Sequence, residues 1–188
     1  MSRFWLVRHG PTHAKGMVGW TDLPADLSDH AALARLNAHL PAVPVISSDL
    51  SRAVATADAL APRPRLAHDP ALREMHFGRW EMRGWTEVEA EDPVLARAFW
   101  ERPGTVCAPG GECWDALTAR VEGALIRLAQ ETDELIVVAH FGMIVAAVQL
   151  AEGLSPEAAL AHRIDNLSVT RVEFGPGTRR AGPINHIP

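Results

Sequence analysis

The chain has 188 residues, 47% of them apolar and 22% charged, the balance of one globular domain able to bury a substantial core. Its net charge of −5, from 18 basic and 23 acidic side chains, comes without a basic block and excludes a nucleic-acid footprint, so an anionic ligand needs a local cluster of cations. Cys107 and Cys113, the two cysteines, stand at no zinc spacing and exclude a disulfide framework.

Phe4–Val7 is the first predicted strand, apolar on both faces and stopped by Gly10-Pro11. Apolar residues at helical spacing then predict a helix over Ala31–Leu40, ended by Pro41. Pro44–Ser47 is a second short apolar run, and the alanine-rich Ser51–Leu60 a helix stopped by Pro62 and Pro64. Arg65–His68 is read as a third short strand. Glu112–Gln130 is the clearest helix, with Trp114, Leu117, Val121, Leu125 and Leu128 on one face. Leu135–Ala139 is a continuous buried-type strand, followed by a helix over Met143–Leu150. Ser155-Pro156 is an N-cap followed by proline at the first helical position. Leu167–Phe174 alternates and reads as a final strand at an edge, and the Gly/Pro-rich tail from Gly175 reads as irregular.

Alternating strands and helices predict one α/β domain over 1–188, a mostly parallel sheet with helices on both faces. Residues 73–113, rich in Trp, Gly and Pro, read as a cap-like insertion over one end of the sheet. Leu135–Leu150, the most apolar stretch, is too short for a membrane span, which needs roughly 20 residues. Met1-Ser2-Arg3 runs directly into the first strand, which leaves no room for a signal peptide. The expected location is cytoplasmic, with no membrane partner. The oligomeric state leaves no trace in the sequence.

Four places set charged or titratable groups at or just after predicted strands: Arg8-His9, Ser48 to Arg52, Arg73-Glu74, and His140-Phe141-Gly142. In open α/β sheets the C-terminal strand edge is where ligands bind, so two histidines and two arginines there can converge on one spot. Phosphate fits this set. Guanidinium groups bind its oxygens in bidentate fashion, helix N-termini offer free N–H groups, and a neutral imidazole is a competent nucleophile. A second histidine can donate to developing charge, and a carboxylic acid can protonate a leaving alkoxide. Each residue alone has a plain structural reading: a packed histidine, a solvated arginine, a surface glutamate, a turn threonine at Thr12. Only their joint pattern points to chemistry. His13 and His76 lie near these candidates, whereas His30, His39, His68, His162 and His186 have no motif context. No HExxH, GxGxxG or P-loop lysine motif occurs, so no metal or nucleotide cofactor is expected.

These residues together resemble the histidine phosphatase superfamily, the phosphoglycerate-mutase-like family. Five blocks match in order: Arg8-His9-Gly10-x-Thr12; Ser47-Ser48-Asp49-Leu50-x-Arg52-Ala53 with Thr56-Ala57; Leu72-x-Glu74-x-x-Phe77-Gly78-x-Trp80-Glu81; Pro109-Gly110-Gly111-Glu112; and Val138-Ala139-His140-x-Gly142. The resemblance covers roughly residues 3 to 174. It implies a three-layer αβα sandwich with a mostly parallel mixed sheet, and metal-free phosphoryl transfer without a cofactor. It makes His9 the nucleophile that becomes phosphorylated. Arg8, Arg52 and His140 become holders of the phosphoryl oxygens, with Thr12 and the Phe141 N–H as further phosphate contacts, and Glu74 the proton donor. Three positions depart from the family's common pattern. Lys15 stands where Asn is frequent, Val18 where Gln is frequent, and Phe141 makes the second-histidine block His-Phe-Gly instead of His-Gly-Gly.

The implied activity is that of a histidine acid phosphatase-type phosphomonoesterase acting on a small phosphorylated metabolite. The alternatives are phosphoglycerate mutase-type transfer and a non-catalytic phospho-ligand binding module. The short chain speaks against the first and the intact five-residue set against the second. Gly19-Trp20-Thr21-Asp22-Leu23-Pro24 is similar to the α-ribazole phosphatase branch, which suggests α-ribazole phosphate or a sugar phosphate as substrate.

Overall fold

In chain order the computed structural model, which describes residues 1–175 and 177–188, runs β1 (Ser2–Arg8), α1 (His30–His39), β2 (Val45–Ser47), α2 (Ser51–Asp58), α3 (Trp85–Glu91), α4 (Pro93–Glu101), α5 (Trp114–Glu131), β3 (Glu134–Ala139), α6 (Phe141–Glu152), α7 (Pro156–Leu160), β4 (Val169–Gly175) and β5 (Thr178–Ala181). Short 3₁₀ turns lie at Pro70–Leu72 and Gly78–Trp80.

The strands form one mixed sheet in the order β2-β3-β1-β4-β5. β1 and β2 each pair with β3 in parallel, while β4 pairs antiparallel with both β1 and β5. Among the described residues four strands therefore run one way and β4 runs against them, the mostly parallel sheet of the α/β reading.

The period-2 geometry of the strands splits their side chains between two cores. Phe4 and Leu6 of β1 join Leu135, Val137 and Ala139 of β3 beneath α5 and α6. Val7, Ile136 and Val138 face the other way, toward Leu36 and Leu40 of the α1 segment and Ala53 and Ala57 of α2. Helices cover both faces, giving the three-layer sandwich. A fully buried leucine or valine of this kind contributes about 1.5–3 kcal/mol, which is why a one-residue register slip in β1 or β3 is excluded. α3 and α4 join the α5/α6 core through Val88, Ala96 and Phe99.

The structure corrects several element assignments. Arg65–His68 is no strand: a single parallel bridge from Val45 to Arg65 is all that forms. The last long strand, β4, is internal, and β5 forms the edge beyond it. The tail is not wholly irregular, because Thr178–Ala181 pairs with β4 and His186 bridges back to Val169. Pro176, part of that tail, lies outside the described residues. α6 begins at Phe141, two residues before the predicted start, so His140 is its N-cap. Ser155 caps α7 as expected, accepting from the Ala158 N–H at 3.2 Å. Among the described residues no helix is long and apolar enough to cross a membrane.

Candidate active site

β1 and β3 end side by side, and their last residues carry the two histidines to one point. The His9 N–H donates to the Ala139 carbonyl at 3.0 Å, and the His9 and His140 rings stand 5.0 Å apart between centroids. Asn166, just before β4, donates to the His9 carbonyl at 2.7 Å. The Thr56 hydroxyl accepts from the Gly10 N–H at 3.0 Å and donates to the Arg52 carbonyl at 2.7 Å. The turn after β1 is thereby tied to α2.

His9 is buried, and its Nδ1 lies 2.6 Å from the Gly10 carbonyl. A carbonyl only accepts, so Nδ1 carries the proton and Nε2 keeps its lone pair. Burial, together with the charges of Arg52 and Arg8, pushes the imidazole down to about 3 against an opposing hydrogen bond to Gly10. His140 is fully buried and is likewise held well below its ordinary value, first by burial and then by His9, Arg52 and Arg8. Its Nε2 meets the Ser48 hydroxyl at 2.6 Å, while its Nδ1 is buried without a hydrogen-bond partner among the described residues. Ser48 Oγ also accepts from the Leu50 N–H at 3.4 Å.

Arg52, in the first turn of α2, is almost wholly enclosed. It donates to the carbonyls of Thr21 at 2.9 Å and Gly19 at 2.6 Å. Arg8 donates to the Ile164 carbonyl at 2.6 Å and lies over the Phe141 ring at 5.7 Å. The Nε–H of each arginine is buried and unpartnered among the described residues. Arg52 is buried and Arg8 half-buried, and each keeps an Nε–H that an anion's oxygen can accept from. Burial lowers both guanidinium pKa values, and Glu74 opposes the shift in each.

Glu74 does not end a strand, as the sequence suggested. It follows the 3₁₀ turn at Pro70–Leu72 and reaches the site from the side. Its Oε1 accepts from the Met75 N–H at 2.8 Å and the Gly142 N–H at 2.9 Å, and its Oε2 from the Gly142 N–H at 3.1 Å. Burial nevertheless raises its pKa over the opposing effects of these bonds and of Arg52 and Arg8. Arg120 of α5 braces the segment, donating to the carbonyls of Ala71, Arg73 and Glu74 and to the Glu112 carboxylate.

Glu81 organises the loop after β1. Its carboxylate accepts from the N–H groups of Gly19, Trp20 and Thr21, from the Thr21 hydroxyl and from the Phe77 N–H, at 2.7–3.2 Å. Burial pushes its pKa up, but the hydrogen bonds from Thr21, Trp20, Phe77 and Gly19 outweigh it and hold the group low. The loop carbonyls that anchor Arg52 are thus fixed by the same residue.

The structure brings Arg8, His9, Arg52, Glu74 and His140 together. Thr12 lies half-buried in the loop beyond His9, and Phe141 opens α6, where its N–H is one of the orphan donors of a helix start. His13 pairs with Asp26 at 2.8 Å on the exposed surface, and His76 stacks on Trp20 at 4.5 Å. Lys15 is exposed. Cys107 and Cys113 are free and face each other across one antiparallel bridge. Sequence reasoning gave no role to Ser48, Glu81, Arg120 or Asn166. The first two stood inside recognised blocks. The other two act across 46 and 157 positions of sequence and carry no local signal.

A mixed α/β sandwich that gathers two histidines and two arginines at the C-terminal edge of its parallel strands is an arrangement suited to an anionic ligand. The chain belongs to the histidine phosphatase superfamily, branch 1, whose sequence model matches residues 4–186. It is 34% identical over 171 residues to the adenosylcobalamin/alpha-ribazole phosphatase of Salmonella typhimurium, covering 85% of this chain and 84% of that one. It is 32% identical to the glucosyl-3-phosphoglycerate phosphatase of Mycolicibacterium vanbaalenii, over 81% of this chain and 75% of the relative. The crystal structure of the alpha-ribazole phosphatase from Shigella flexneri superposes with a TM-score of 0.83 at 25% identity, covering 97% and 96% of the two chains.

Proposed function

We propose that this protein is a phosphatase that hydrolyses a small phosphomonoester through a phosphohistidine at His9, without a metal ion. The observation that carries the reading is the state of His9: proton fixed on Nδ1 by the Gly10 carbonyl, lone pair free on Nε2, and two arginines with unspent donors beside it.

In the first step His9 Nε2 attacks phosphorus and a P–N bond forms. The bond from phosphorus to the leaving oxygen breaks, and Glu74 gives that oxygen its proton. In the second, a water oxygen attacks phosphorus, its proton passes to the Glu74 carboxylate, the P–N bond breaks, and phosphate leaves with His9 restored. Arg8, Arg52 and His140 hold the equatorial oxygens, whose negative charge they meet in a dry site. Ser48 donates to His140 Nε2, so that Nδ1–H points at the phosphoryl group. Thr12 and the Phe141 N–H supply further contacts, and residues 73–113 act as the cap that bears Glu74.

Two relatives are named for alpha-ribazole and glucosyl-3-phosphoglycerate phosphatase activity, so α-ribazole phosphate and glucosyl-3-phosphoglycerate are the first substrates to try. Hydrolysis of p-nitrophenyl phosphate with EDTA present, in wild type and His9→Ala, tests the reaction class. EDTA-resistant activity that vanishes in the variant supports the reading. Folded wild type without activity overturns it in favour of a mutase or a binding module.

A further inference from the structure

Cys107 and Cys113 stand at the mouth of a hairpin whose tip is Ala108-Pro109-Gly110-Gly111. The Gly111 N–H donates to the Ala108 carbonyl at 2.8 Å, and Gly110 takes a φ of 72°, so proline and a left-handed glycine make the turn. The Ala108 N–H donates to the Glu112 carbonyl at 3.2 Å, one position inside the cysteines on either arm. Cys107 and Cys113 therefore face each other as a non-hydrogen-bonded antiparallel pair, the type whose Cα atoms lie about 4.5 Å apart with both side chains on one face. A disulfide spans Cα atoms about 4.4–6.8 Å apart. The thiols are close enough to interact: a hydrogen bond with Cys113, ahead of burial, pushes the Cys107 thiol up to about 11. Cys107 is exposed and Cys113 half-buried. Cys107 donates weakly to the Thr105 carbonyl at 3.5 Å. Cys113 is the N-cap of α5, but among the described residues its side chain makes no capping bond, so linking it leaves the helix start intact.

The hairpin is tied to the segment that carries Glu74. The Pro109 carbonyl accepts from the Arg79 N–H at 2.9 Å. Glu112 donates through its N–H to the His76 carbonyl at 2.8 Å, and its carboxylate accepts from the His76 N–H at 2.9 Å. The same carboxylate pairs with Arg120, which donates to the Glu74 carbonyl at 3.1 Å. A covalent link from Cys107 to Cys113 would close the hairpin from which these bonds hang.

We infer that Cys107 and Cys113 are a reversible thiol–disulfide site, and that its oxidised form staples the hairpin supporting the Glu74 segment. This is one local bridge, distinct from the framework of several disulfides that two cysteines exclude. The oxidant is a small-molecule disulfide such as glutathione disulfide. The Cys107 thiolate attacks one of its sulfurs, the reagent's S–S bond breaks, and one thiol leaves with the proton Cys107 gave up. The Cys113 thiolate then attacks the Cys107 sulfur of the mixed disulfide, and the second thiol leaves with the proton of Cys113. The two protein thiols lose two electrons in all, and the reagent is reduced to two thiols. Because Cys107 holds its proton tightly, the first step is slow at neutral pH.

The test treats the purified chain with glutathione disulfide at about pH 9, where more of the thiolate is present, and reads intact mass. Wild type should become lighter by two hydrogen atoms, carry no glutathione, and return to its first mass with dithiothreitol. Cys113→Ser should stop at one glutathione on Cys107. The short loop closed by the bridge predicts a Tm about 5 °C higher for oxidised than for reduced wild type, and no such rise in Cys113→Ser treated alike. Amide exchange at His76 and Glu112, whose N–H groups tie the hairpin to the Glu74 segment, should slow on oxidation. Wild type that keeps both thiols free, holds two glutathiones, or links two copies of the chain overturns the proposal. An internal bridge that leaves Tm and exchange unchanged, or lowers Tm, overturns the staple.

Discussion

Glu74→Gln separates proton donation from every other role of this side chain. Both backbone donors bond Oε1, from Met75 at 2.8 Å and Gly142 at 2.9 Å, so a glutamine with its carbonyl oxygen in that place keeps these two bonds and gives up only the longer contact of Oε2 with the Gly142 N–H at 3.1 Å. Its NH₂ then lies where Oε2 does, able to offer a hydrogen bond but no transferable proton. General acid catalysis contributes about 10²–10⁴-fold. Kcat on glycerol 1-phosphate should therefore fall about a thousandfold, whereas p-nitrophenolate, which leaves without protonation, should lose less than about tenfold. The pH dependence sharpens the assay. Burial raises the Glu74 pKa, so wild-type kcat/KM should fall on the alkaline side only above the usual carboxylate range, and the variant should lack that limb. Stability should respond too. A carboxyl raised on folding stabilises fully below its unfolded pKa and loses that contribution as pH rises through the folded pKa, so Glu74→Gln should gain Tm relative to wild type at neutral pH. Equal losses on the alkyl and nitrophenyl esters would remove Glu74 from the acid role.

Other variants probe the supports. His9, held down to about 3, should show no NMR titration between pH 7 and about 4; because the unfolded chain binds that proton first, stability should fall across this window, and less steeply in His9→Asn. Ser48→Ala should cut kcat about tenfold to a hundredfold and replace the Nδ1–H tautomer of His140, visible by nitrogen NMR, with a mixture; an Nε2–H tautomer in wild type would refute that role. A Cβ on Gly142 would lie 2.3 Å from Glu74 Oε1. Gly142→Ala should therefore reproduce the selective loss on alkyl esters at about a tenth of full severity, and unchanged alkyl turnover would show that the carboxyl's position is not set there.

The site was legible because its residues sit where the chain changes character. Phe4–Val7 is apolar without alternation and Gly10-Pro11 stops it, so Arg8 and His9 had to lie at a strand end; the same logic placed His140. The strand-end argument named Glu74 but misplaced it, and only the motif gave it a role, because its carrier is a 3₁₀ turn braced by Arg120, and a brace 46 positions away has no local pattern. β4 looked like an edge because its polar residues suggested solvent. Thr170 is instead buried, its hydroxyl accepting from the Asn185 N–H at 3.0 Å, and Glu173 pairs with Arg3 and Arg180. Satisfied polar groups on an internal strand read the same as exposed ones until their partners are placed. β5 has the sequence Thr178-Arg179-Arg180-Ala181, polar enough to pass for a loop, and it is a strand because β4 offers it an unpaired edge.

Rapid acid-free quench of the working enzyme, followed by peptide mass spectrometry, tests the central claim most directly. During turnover of p-nitrophenyl phosphate the peptide bearing His9 should gain the mass of one phosphoryl group. The adduct should be labile to acid and stable to base, and absent from His9→Ala. Steady hydrolysis with no phosphorylated peptide, or with the phosphoryl group on another residue, would contradict the account.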